Sequence, residues 1–107
     1  MLWKGNNNKK DYDLVYSNMG MLYAKWGQTE RAIECYQKAI EINPNLAEVY
    51  NNMGNAYSKL GKRKIALNLL QKAIELKHDY VDAYYNIGCV YENIGEVQKA
   101  LSYYKKQ

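Results

Sequence analysis

Apolar and polar positions alternate at three- and four-residue steps along most of the chain, the period of helices that bury one face. One stripe comprises Tyr50, Met53, Gly54, Tyr57 and Leu60, and a second runs Ile65, Ala66, Leu69, Leu70, Ala73 and Ile74. Gly61 lies between them, where a helix can end in the left-handed conformation that a Cβ would strain. Upstream, the same alternation predicts a helix from Tyr16 to Trp26, then Gly27, then a helix from Ala32 to Ile42 that stops at Asn43-Pro44. Asn45, with Glu48 three residues on, is the expected N-cap of the next helix, and Asp79 of the one after.

This pattern repeats with a period of 34 residues. Gly20, Gly54 and Gly88 share the spacing, as do Gly27, Gly61 and Gly95, and Ala32, Ala66 and Ala100. Tyr16, Tyr50 and Tyr84, then Tyr23, Tyr57 and Tyr91, and finally Asn18, Asn52 and Asn86 complete six columns in phase. Such self-similarity marks a stacked array. Gly20, Gly54 and Gly88 fall inside helices, where glycine costs about 1 kcal/mol against alanine. A recurring cost implies close approach of another helix, with the small residues Ala32, Ala66 and Ala100 as the expected partners.

The columns resemble the tetratricopeptide repeat family. Tyr16, Met19, Gly20, Tyr23, Ala32, Tyr36, Ala39 and Pro44 match its motif in the first unit. Tyr50, Met53, Gly54, Tyr57, Ala66, Leu70 and Ala73 match in the second, with His78 where proline is expected. Tyr84, Ile87, Gly88, Tyr91, Ala100 and Tyr104 match in the third. The resemblance implies an all-α fold, an α-solenoid of three helix-turn-helix repeats in a right-handed superhelix. The repeats span 13–46, 47–80 and 81–107, the last truncated, after a flexible leader at 1–12.

In that family, first helices line a concave groove. The resemblance places Leu14, Ser17, Asn18, Met21 and Lys25 there, then Glu48, Asn51, Asn52, Asn55 and Lys59, then Asp82, Tyr85, Asn86, Cys89 and Asn93. An amide offers both donor and acceptor, so Asn18, Asn52 and Asn86 are suited to pair with successive peptide units of an extended ligand. The run Asn51, Asn52, Gly54, Asn55 is similar to the superhelical arrays of O-linked N-acetylglucosamine transferases. Alternatively, the column bonds within the array and keeps the groove solvated. Asn18, Asn52, Asn86, Met21, Asn55, Lys59, Tyr85 and Cys89 are the expected peptide-binding residues, with Asn52 the foremost. Family members that clamp acidic chaperone tails carry Lys and Asn, then Asn, then Lys and Arg. The matching positions here are Ser17, Met21, Asn52, Asp82 and Asn86; only Asn52 agrees, so chaperone tails are not the expected ligand.

Composition narrows the function classes. The chain has 107 residues, enough for one domain, with 48% hydrophobic and 24% charged residues, which speaks against wholesale disorder. No apolar run approaches the roughly 18 residues of a membrane span, and the N-terminus lacks a secretory stretch. Two cysteines make no disulfide framework, so a reducing, cytoplasmic setting is expected, with a nuclear one as the alternative. The net charge of +4 is scattered over turns and ends rather than laid in a basic track, which argues against nucleic acid. His78 is the single histidine and sits in a turn beside Asp79. No Cys-x-x-Cys or His-x-x-x-His spacing suggests a metal, no cofactor is expected, and Arg63 follows Lys62 where a phosphate loop needs Ser or Thr. The expected function is a non-catalytic scaffold that binds an extended segment or helix of a protein partner. The alternatives are a substrate-presenting part of a larger enzyme, such as a glycosyltransferase, or a module that self-associates through end repeats exposing Leu101, Tyr103 and Tyr104.

Overall fold

The computed structural model describes residues 9–106, with side chains from residue 12 on. It contains six helices in chain order: α1 (Lys9–Lys25), α2 (Thr29–Ile42), α3 (Ala47–Lys59), α4 (Arg63–Leu76), α5 (Val81–Asn93) and α6 (Val97–Lys105). They form three hairpins, α1 with α2, α3 with α4 and α5 with α6. Residues 9–12, read from the sequence as leader, are the start of α1; the remainder of that expected leader lies outside the described residues.

The hairpin turns follow directly from glycine. Gly27, Gly61 and Gly95 have φ of 81°, 78° and 82°. In each turn the residue after glycine donates its N–H to a tyrosine carbonyl: Gln28 to Tyr23, Lys62 to Tyr57 and Glu96 to Tyr91. This is the pattern that satisfies orphan carbonyls at a helix end.

The helix starts differ from expectation. Asn45 and Asp79 are not caps; Leu46 and Tyr80 hold the N-cap positions and make no side-chain cap bond. The Asn45 N–H instead meets Asn43 Oδ1 at 3.1 Å. Burial explains the choice. Tyr80 is buried with Ala47, Ala73 and Ala83, and Leu46 packs on the cluster around Tyr36. Fully burying a large side chain is worth roughly 1.5–3 kcal/mol, against about 1 kcal/mol for a cap.

The mid-helix glycines also meet other partners than expected. A Cβ on Gly54 would lie 2.8 Å from Leu70 Cγ, with Ala66 reached only through its carbonyl oxygen at 3.2 Å. Gly20 faces the ring of Tyr36 and Gly88 the ring of Tyr104. The close contact is therefore a large side chain lying flat on bare backbone. Ala32, Ala66 and Ala100 are themselves buried, but they act as spacers four residues before that side chain.

The hairpins stack through two apolar seams. Ile33 and Tyr36 of α2 share a cluster with Val49, Met53 and Ala56 of α3. Leu70 of α4 shares one with Ile87 and Val90 of α5. First helices of successive hairpins approach one another, α1 to α3 and α3 to α5, while among the described residues the backbones of successive second helices stay apart. The stack therefore curves, with α1, α3 and α5 on its inner side. Its extents of 50 × 27 × 18 Å are those of an elongated array.

Candidate functional site

The eight expected site residues fall into distinct surroundings. Asn52, Asn55 and Lys59 follow one another at three- and four-residue steps on α3, so they share one side of that helix. They line a cleft of about 270 Å³ between the first and second hairpins, together with Ala24, Thr29, Tyr36, Ala56 and Ser58. The cleft combines two amides, two hydroxyl side chains and an ammonium, with the buried Tyr36 behind them. Thr29, Tyr36 and Ser58 were absent from the expected set; Thr29 and Tyr36 belong to the second helix α2, which packs against α3.

Asn86 is placed differently from Asn52, although the two share a column. Its Nδ2 donates to Asn51 Oδ1 at 2.9 Å, joining α5 to α3. Asn51, expected on the open groove, is 4% exposed and sits within this joint. Beside it, the Tyr80 hydroxyl is pushed up to about 12, chiefly by burial and then by Glu48, with Asn51 acting in the opposite direction. One repeat earlier the place of Asn51 is taken by Ser17. Among the described residues no hydrogen bond joins Ser17 to Asn52, so the Asn52 amide faces the cleft with its donor and acceptor unspent.

Tyr85 and Cys89 form a third setting. The rings of Tyr85 and Tyr104 are 5.8 Å apart. The Tyr104 hydroxyl donates to Glu92 Oε1 at 2.7 Å and lies 3.5 Å from Cys89 Sγ. Hydrogen bonds around the Cys89 sulfur raise both tyrosines, most strongly Tyr104. Asn18 and Met21 are exposed on α1. Asp82, at a clamp position where a cation is needed, is exposed on α5. Burial pushes the Cys35 thiol up, the wrong direction for a nucleophile. Among the described residues no three His, Cys, Asp or Glu side chains gather as a metal site, and no helix is long and apolar enough to cross a membrane.

Three family models, described as TPR repeat or tetratricopeptide repeat, match residues 20–61, 47–80 and 69–102. The chain belongs to the tetratricopeptide repeat family. The tetratricopeptide array is 45% identical over 42 residues to a photosystem I assembly protein, Ycf3, of Synechococcus sp. (strain CC9605), a match that spans 39% of this chain and 24% of that protein. Its fold matches a crystal structure of MamA with a TM-score of 0.83 at 29% identity, covering 91% of this chain and 57% of MamA. It also matches the second tetratricopeptide domain of Spaghetti (RPAP3), solved with the HSP90 peptide SRMEEVD, with a TM-score of 0.84 at 28% identity over 91% of this chain and 90% of that one. The first Spaghetti domain, bound to the same peptide, gives 0.85 at 27% identity over 91% of this chain and 77% of that one. The chain thus spans a quarter of Ycf3 and little more than half of MamA.

Proposed function

We propose that the array is a protein-interaction module that holds an extended segment of a partner along its inner side, anchored in the cleft of Asn52, Asn55 and Lys59. The observation that carries this reading is the unspent Asn52 amide lining that cleft. A peptide unit can donate to Oδ1 and accept from Nδ2 of the same side chain, so the contact holds backbone without reading sequence. Asn55 offers the same pair one turn on. Lys59 favours a carboxylate at one end. The likeness to two domains solved with a bound peptide supports a peptide as ligand.

Asn52→Ala is expected to weaken such a complex by about 1–2 kcal/mol, up to roughly 30-fold, with the melting curve unchanged, because a hydrogen-bond pair is lost from a half-buried surface. Calorimetric titration of a peptide selected against the chain from a random library measures this. Equal affinity of parent and variant sinks the proposal.

The ligand differs from the HSP90 peptide SRMEEVD bound to the Spaghetti domains. Ser17 and Met21 provide no cation in the first hairpin, and Asp82 repels a carboxylate in the third. SRMEEVD is expected to show no saturation below about 1 mM in fluorescence anisotropy. Micromolar binding of that peptide overturns the charge argument.

A further inference from the structure

The period that builds the array also identifies the faces that α1 and α6 leave exposed among the described residues. Within the array, each first helix turns the same side to the hairpin before it. On α3 that side is Val49, Met53 and Ala56, packed on Ile33 and Tyr36 of α2. On α5 it is Ile87 and Val90, packed on Leu70 with Leu67 beside it. Counting back 34 residues from Met53, Ala56 and Leu60 places Met19, Leu22 and Trp26 on that side of α1. Leu22 is 59% exposed and Trp26 77%. With Met19 they line an apolar hollow of about 340 Å³.

The opposite face carries the other half of the contact. Ile33 of α2 and Leu67 of α4 recur on α6 as Leu101, which is 42% exposed, beside Val97 at 58%. The match extends to the second helices. Tyr103 of α6 stacks on Tyr91 with centroids 5.7 Å apart and accepts a hydrogen bond from Gln71 of α4 at 2.9 Å. Two repeats earlier its place is taken by the smaller Cys35, beside a hollow of about 370 Å³ that Tyr16, Tyr23 and Glu34 also line. The counterpart of Gln71 on α6 is Lys105. Its aliphatic stem suits that hollow, and Glu34 stands ready for its ammonium. The cations already on that rim, Arg31 and Lys38, are drawn over the rings of Tyr23 and Tyr16.

We propose that copies of this chain associate head to tail, the α6 face of one seated on the α1 face of the next. The contact continues the two seams already inside each copy, α2 on α3 and α4 on α5. It is heterologous, using different surfaces on the two partners, and a repeated screw does not close, so growth proceeds past the dimer.

Sedimentation velocity of the 107-residue chain between about 10 μM and 1 mM tests this. The weight-average mass is expected to climb past twice that of the 12.5 kDa chain. Trp26→Glu and Leu101→Glu should each remain monomeric, with helical circular dichroism intact because both side chains are exposed; Leu22→Glu tests the α1 face a second time. Mixing Trp26→Glu with Leu101→Glu leaves one sound face on each, so the mixture should give a dimer and stop there. A parent that stays monomeric to 1 mM, a parent that stops at the dimer, or a mixture that fails to pair overturns the proposal.

Discussion

Gly54→Leu is expected to cost the array upward of about 3 kcal/mol, a loss near 15 °C or more in melting temperature for a domain of this size. The helix itself gains from the change, because leucine is a better helix former than glycine by somewhat under 1 kcal/mol. Packing decides the sign. The first carbon of any side chain there would sit 2.9 Å from Leu70 Cδ2 and 3.2 Å from the Ala66 carbonyl oxygen. Leu70 is fully buried and cannot swing aside, and the carbonyl belongs to the α4 backbone. The α3–α4 hairpin must open, and it is the hairpin on which both others stack. A thermal melt by circular dichroism that superimposes on the parent's rejects this packing.

Leu70→Ala attacks the same contact from the other side. Leu70 touches the bare backbone of Gly54 and shares a cluster with Ile87 and Val90, so it closes the hairpin and also joins it to the next. Truncation is expected to cost about 3–4 kcal/mol, since rigid helices on both sides prevent collapse into the space left. Urea midpoints measure it. The two substitutions are coupled: the leucine added at 54 enters the volume vacated at 70. The double variant should therefore be destabilised by less than the two single losses together, by at least about 1 kcal/mol. Strict additivity means that the two sites do not touch.

The parts legible in the sequence are those set locally or by repetition. Gly61 ends α3 because only glycine takes its positive φ without strain, a property of one residue. The six-helix order follows from the same stripe occurring in each unit. What sequence reading misplaced depends on a neighbour chosen by geometry. Identical alanines at 32, 66 and 100 draw the eye as partners for the glycines, yet the contact is made four residues on by Tyr36, Leu70 and Tyr104, a column that varies in identity. Asn45 and Asp79 have good capping chemistry, but burying Leu46 and Tyr80 sets where the helices begin. Within the site, the grouping of Asn52, Asn55 and Lys59 is a helical spacing and could be read directly. The role of Asn51 could not: its counterparts are Ser17 and Tyr85, and its burial comes from Tyr80 and Asn86, remote in sequence.

The amide clasp between Asn51 and Asn86 makes the two joints of the array unequal in what bonds them. It ties the inner edges of α3 and α5 together. Among the described residues Ser17 gives α1 and α3 no such clasp, and side-chain packing such as that of Ile33 and Tyr36 on Val49 and Met53 holds that joint. The Asn52 cleft straddles the joint without the clasp, lined by Ala24, Thr29 and Tyr36 from one hairpin and by Asn55, Ser58 and Lys59 from the next, so a ligand seated there touches both sides of it.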